Sequence, residues 1–271
     1  MLSKMSIDNI QIVDSFTELD WGIKAINAPM VWQKTKGEGV TIVTMDTGVD
    51  INHPDLQGKV KSTFNFIDSS LDVTDERGHG THVAGLLVGE RTGVAPKSDI
   101  HVLKVLNKDG IGTFRNITDG ITHAMNLKAD ILSISLGVMY EIPQLIKQRL
   151  LDAIAKGVTI VSATGNMGKS EAFYPARMDN VIAVGGLDKN MNLTNWTNMG
   201  YDILAPSEDI LSTYKDNNYA RMTGTSMASP LVAGSIALLI SYYRSQGKNL
   251  RPNEIHDMLK GTKLDLAKLI G

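Results

Sequence analysis

No cysteine occurs in the 271 residues, which excludes disulfide bridges, thiolate metal centres and a cysteine nucleophile, and leaves the redox compartment open. An excess of one charge is missing too. Against 29 Asp and Glu stand 27 Lys and Arg, a formal net charge of -2, with no long run of like charge. The electrostatic footprint of a nucleic-acid binder or a polybasic membrane binder is therefore lacking, and neither partner is expected. Apolar runs are short: the longest, Leu231 to Ile240, contains Gly234 and Ser235 and is too short to span a bilayer. The segment Met1 to Asn9 has neither an uninterrupted apolar stretch nor a small-residue cleavage signature, so no secretion signal is read there and a cytoplasmic protein is expected.

What is present is the profile of one soluble domain large enough for a sizeable core, 42% hydrophobic and 21% charged. From about residue 40, short β-branched runs alternate with helix-period segments. That is the signature of repeated βαβ units around a parallel sheet. Strands are expected at Val40 to Met45, Ile100 to Leu106, Asp130 to Leu136, Val158 to Ala163 and Val181 to Val184, each apolar enough to be covered on both faces. Helical spacing of Ile117, Ile121, Ala124 and Met125, and of Leu145, Leu151, Ile154 and Ala155, predicts helices over 113–128 and 144–156; these stripes read as core. Pro252 opens a last helix. The expected fold is α/β: a single three-layer domain with a mainly parallel, doubly wound sheet flanked by helices. Residues 1 to 39 lie outside the alternation and read as an N-terminal arm.

Four constellations carry chemistry. The first strong strand runs into Thr44-Met45-Asp46-Thr47-Gly48, and an acid at the carboxyl end of a strand in an open parallel sheet faces the ligand crevice. Taken alone, Asp46 reads more simply as a turn acceptor. Gly78-His79-Gly80-Thr81-His82 leads into an apolar helix-like stretch. Its glycines suggest a dinucleotide loop, but a polar run precedes them rather than a strand, and the two histidines lack a third zinc ligand. Thr225 and Ser226 precede the apolar Leu231 to Ile240; either suits a helix cap, and a serine there is also placed for attack beside the positive end of the helix. Finally, the strand ending Ala163-Thr164-Gly165-Asn166 puts an amide at the same edge, able to donate to an oxyanion or simply to form a turn. Together they supply an acid, a base, a nucleophile and an oxyanion donor.

At these residues the chain resembles the subtilisin-like serine proteases. The order Asp46, His79, Ser226 is theirs and not that of the α/β hydrolases, since His256, the only histidine after Ser226, has no aspartate between. The resemblance extends from about Trp21 to the tail through His53-Pro54-Asp55-Leu56, Gly93-Val94-Ala95-Pro96, Ser135-Leu136-Gly137 and Gly224-Thr225-Ser226-Met227-Ala228-Ser229-Pro230. It implies an arm over 1–20 and a catalytic domain over 21–271. It also implies peptide hydrolysis through an acyl-enzyme, with Ser226 as nucleophile, His79 as base, Asp46 orienting the imidazole and Asn166 binding the oxyanion.

Further expectations come with the family. Substrate would pair with Gly110-Ile111-Gly112 and Ser135-Leu136-Gly137, Val138 standing where relatives usually have a second glycine. Phe173 and Met167 would make a shallow apolar P1 pocket, Phe173 replacing a small residue. No cofactor is needed for the chemistry. Asp55 matches a ligand of the family's tight calcium site, although the Gly85 to Gly93 stretch is several residues shorter than the ligand-rich loop of relatives. Trp21-Gly22-Ile23-Lys24-Ala25-Ile26 and Leu264-Asp265-Leu266-Ala267 resemble the intracellular subgroup, which implies a homodimer, a short blocking extension in residues 1 to 20, and no long pro-domain. Two alternatives stand beside the general protease: a leader-peptide processing protease of narrow specificity, and an inactive peptide-binding scaffold.

Overall fold

The computed structural model describes residues 2–4 and 7–271. In chain order, β1 (Leu2–Lys4) and β2 (Ile7–Val13) precede two short helices, α1 (Trp21–Ala25) and α2 (Ala28–Val31). Then come β3 (Thr41–Asp46), β4 (Val60–Asn65), α3 (His79–Val88), β5 (Asp99–Lys104), β6 (Ile111–Gly112) and α4 (Phe114–Asn126). Next are β7 (Ile131–Ile134), β8 (Leu136–Gly137), α5 (Gln144–Ala155), β9 (Thr159–Ala163) and β10 (Ile182–Leu187). The chain closes with β11 (Ile203–Pro206), β12 (Ile210–Tyr214), β13 (Asn218–Thr223), α6 (Thr225–Ser245), α7 (Pro252–Leu259), β14 (Thr262–Lys263) and α8 (Leu266–Ile270).

Eight strands form one sheet in the order β14-β11-β10-β9-β7-β3-β5-β4, with every pair parallel. Side chains alternate across it as the pleat requires. Ile42, Val102, Ile131 and Val161 enter one core with α3 and α6, while Val43, Leu103, Leu132 and Ile160 enter the other with Ile117 and Ile121 of α4 and Leu150 of α5. Helices thus cover both faces, the expected three-layer α/β domain. The apolar run at 231–240 is only the middle of α6, which is 21 residues long and apolar enough to cross a membrane; its residues Thr225 to Ser241 are buried inside the domain. Its length comes from the polar first turn and the Tyr242-Tyr243-Arg244 end, which an apolar run does not register.

The strand order decides where chemistry can sit. Strands β4 and β5 lie on one side of β3 and β7 on the other, so the chain changes direction of winding at β3. The crevice outside the carboxyl ends of the strands opens at such a switch point, and Asp46 is the last residue of β3.

Two small antiparallel sheets flank this edge. One has the order β6-β1-β8 and the other β12-β13-β2. The β12–β13 hairpin turns through Asp216 and Asn217, both in the left-handed region at φ 60° and 58°, a pair of residues that tolerates such a turn. Residues 2–4 and 7–13, within the expected arm, are thus paired into these two sheets.

Candidate active site

Asp46 ends β3 and His79 begins α3. Their packing depends on glycine: a Cβ on Gly80 would stand 2.1 Å from the Gly48 carbonyl oxygen, so only a bare backbone lets the helix start close on the strand end. His79 Nδ1 donates to Asp46 Oδ1 across 2.7 Å, and the same oxygen accepts the Thr47 amide at 2.7 Å. The pair is buried, at 0% and 1% exposure. Burial alone would depress the imidazole pKa, but the charge and hydrogen bond of Asp46, with the Asp75 charge beyond it, outweigh that and hold His79 above its ordinary value.

Asp75 escapes motif reading, standing four residues before His79 in a polar run, and it organises this loop. Its Oδ1 accepts Thr47 Oγ1 at 2.8 Å, the Gly78 amide at 2.8 Å and the Arg77 amide at 3.2 Å. Its Oδ2 accepts the Thr81 amide at 2.8 Å and Thr81 Oγ1 at 2.7 Å. With Thr47 Oγ1 taking the Gly80 amide, these groups satisfy N–H donors that the first turn of a helix leaves unpaired. The second histidine of the motif is structural. His82 Nε2 lies 3.0 Å from both the Ile210 and the Ala220 carbonyl oxygens, tying α3 to the hairpin, and burial lowers its pKa to about 3.

Ser226 is the second residue of α6, after Gly224 and Thr225. Its Oγ donates to the Ser135 carbonyl at 3.3 Å, and Ser135 Oγ donates to the Ser226 carbonyl at 3.2 Å. The helix start is thereby fastened to the end of β7. Asn166 follows β9 and is oriented from its oxygen side: Oδ1 accepts the Thr225 amide at 2.9 Å and Thr225 Oγ1 at 2.8 Å. Its Nδ2 is buried and has no hydrogen-bond partner among the described residues, and the same holds for His79 Nε2. The loop around it hangs on Asn198, another residue without a sequence signal, which accepts the Met167 and Lys169 amides at 3.0 Å each and donates to the Thr164 carbonyl at 3.0 Å.

The expected substrate strands are β6 with Gly110 before it, and β8 with Ser135 before it. They stand apart as the two outer strands of a sheet whose centre is β1, with Leu2 opposite Gly112, Ser3 opposite Ile111 and Gly137, and Lys4 opposite Leu136. Val138 leaves this sheet, exchanging backbone hydrogen bonds with Tyr174 at 3.0 and 2.9 Å. Phe173 is buried against Ala163, its ring 2.8 Å from where a Gly165 Cβ would lie, whereas Met167 is 56% exposed.

Asp55 does not fit a calcium ion. Its Oδ1 accepts the Arg91 amide at 3.1 Å and its Oδ2 accepts Thr92 Oγ1 at 2.9 Å, so donors of the short loop point at the oxygens that a hard cation would need. Among the described residues no group of three or more Asp, Glu and His side chains is gathered around it or elsewhere.

The structure joins Asp46 to His79 and Asn166 to Thr225, the neighbour of Ser226, while Ser226 Oγ donates to the Ser135 carbonyl and His79 Nε2 has no hydrogen-bond partner among the described residues. The chain belongs to the subtilase family, which its residues 37–269 match, and is a serine endopeptidase. It is 38% identical to the major intracellular serine protease of Bacillus subtilis (strain 168), covering 97% of this chain and 89% of that one. It is 39% identical to an intracellular serine protease of Paenibacillus polymyxa, over 82% of this chain and 73% of the relative. Thermitase of Thermoactinomyces vulgaris is 38% identical, over 93% and 94%.

Proposed function

We propose that this endopeptidase cleaves polypeptides through an acyl-enzyme formed on Ser226. Ser226 Oγ bonds to the scissile carbonyl carbon while its proton passes to His79 Nε2. The tetrahedral intermediate breaks its C–N bond, and the proton goes on to the departing amine. Water, deprotonated by His79, then releases the acid and restores the serine. Asp46 keeps the Nδ1 proton in place so that Nε2 is the free base, and Asn166 Nδ2 with the Ser226 amide holds the oxyanion. The observation that carries this reading is the buried 2.7 Å bond between His79 Nδ1 and Asp46, which orients an imidazole whose Nε2 has no other partner among the described residues.

An intracellular setting is part of the proposal, supported by the two intracellular proteases to which the chain is 38% and 39% identical. So is regulation by the arm. With β1 seated between the two strands that would otherwise pair with substrate, the arm competes with substrate for main-chain hydrogen bonds. Phe173 under the P1 floor supports a preference for modest apolar P1 side chains over Arg or Lys.

The test is a fluorophosphonate, which reacts only with an activated serine, followed by intact mass and peptide mapping. A single adduct on Ser226 is expected, faster when β1 is displaced by substitutions in the arm. Folded protein that gives no adduct in either form would overturn the assignment.

A further inference from the structure

The arm occupies a second surface besides β6 and β8. Strand β2 lies antiparallel on the outer edge of β13, with Val13 opposite Tyr219, Ile12 opposite Ala220 and Gln11 opposite Arg221. After a register shift Ile7 stands opposite Thr223, three residues before Ser226. Ile10 and Ile12 remain 40% and 47% exposed, and none of Ile10 to Val13 belongs to a buried core. The strand is held through its main chain, a mode of pairing that accepts many sequences.

Past the strand the contact becomes specific. Phe16 stands edge-on to Tyr219 with 4.8 Å between ring centres. The Arg91 guanidinium lies 4.0 Å from the centre of the Phe16 ring and donates to the Phe16 carbonyl. His53 packs edge-on against the other side of Tyr219 at 4.8 Å. Tyr219 and Arg91 thus form a clamp for one aromatic side chain at the end of an open strand edge.

The polarity of the arm links the two surfaces. One chain, followed from its amino end, pairs first with the strands that would hold the residues before a scissile bond, and then with the strand that leads into Ser226. We infer that the edge of β13 from Tyr219 to Arg221, with the Tyr219–Arg91 clamp at its end, is a docking strand for the part of an extended polypeptide substrate that follows the scissile bond. The partner is an unfolded chain that adds as a strand and carries an aromatic residue downstream; β2 and Phe16 hold its place in the resting protein. This rests on the reading of β6 and β8 as substrate strands.

The experiment uses the full chain with Gln11→Pro, Ile12→Pro and Phe16→Ala. Adjacent prolines remove whichever amide donates to β13. Because Gln11, Ile12 and Phe16 lie outside the buried cores, the domain is expected to keep its fold. Three internally quenched peptides share the residues before the cleaved bond. One ends two residues after it; one continues with the sequence of residues 7–18; the third is the same with Ala in place of its Phe. The continued peptide is expected to show a KM about tenfold below the short one with kcat unchanged, the Ala peptide to lose part of that gain, and Arg91→Ala in the enzyme to abolish the difference between the two long peptides. Equal KM for the short and long peptides would overturn the docking strand. Arm inhibition is read separately, from the kcat/KM of the variant and the unaltered protein on the short peptide. That comparison can fail while the ratio of long to short stands.

Discussion

Thr92 Oγ1 lies 2.9 Å from Asp55 Oδ2 and 3.2 Å from the Gly85 carbonyl oxygen, its single proton directed at the nearer carboxylate, which closes the loop after α3 with the chain's own donors. This loop brings an N–H and an O–H group to the carboxylate. Unfolding midpoints measured with and without a strong chelator are therefore expected to coincide. Thr92→Val, which leaves a buried carboxylate oxygen without its donor, should lower stability by about 1–3 kcal/mol in either condition. A large chelator-dependent drop in the unaltered protein would show that a cation holds this loop after all.

In the proposed mechanism Asn166 has two jobs on opposite ends of one amide, Oδ1 holding Thr225 and Nδ2 donating to the oxyanion. Replacing it by Ala should reduce kcat by about a hundred- to a thousandfold, a magnitude that is the family's own for such a donor, with KM little changed. Because Oδ1 also holds Thr225, a smaller part of the loss should appear in Thr225→Ala, which keeps the donor but frees its orientation. Wild-type turnover in Asn166→Ala would remove the residue from the oxyanion site.

With His79 as the proposed general base, its raised pKa is expected to set the acid side of the activity profile. A general base works only when neutral, so kcat/KM should fall as pH drops through a value above the ordinary histidine value of about 6.5. Asp75→Asn removes one of the charges that raise it and turns donor against donor at Thr81. The acid limb should then move to lower pH while stability falls by about 2 kcal/mol. A variant that loses stability with the limb unmoved would make Asp75 a purely structural residue.

His82 predicts acid sensitivity of the fold. Its folded pKa is about 3 and its unfolded value about 6.5, so below the unfolded value the unfolded chain takes up a proton that the native state refuses. Its contribution is intact above about pH 6.5 and lost progressively as pH falls toward 3, amounting to ~2 kcal/mol between pH 7 and pH 5. Denaturant titrations at those two pH values should show this loss in the parent chain, and a smaller one in His82→Gln.

The sequence by itself determined the alternating strands and helices, because apolar period and turn residues are local properties of the chain. It also brought out Asp46, His79, Asn166 and Ser226, since each must sit at an element end whose glycines and small residues are readable in a few positions. Strand β13 was not legible: its burial alternates, Ala220 and Met222 in with Tyr219 and Arg221 partly out, but its residues include Asn218 and Arg221, and the Asp216–Asn217 turn was the only local cue. Asp75 and Asn198 carry no periodicity at all; each matters through hydrogen bonds to several backbone amides that only a folded loop presents. Tertiary structure alone decided that Arg91 and Thr92 donate to Asp55, and that the first strands of the chain lie on β6, β8 and β13. Both outcomes depend on which unpaired donors and strand edges come to face one another across the fold, and long-range adjacency of that kind leaves no pattern in a single chain.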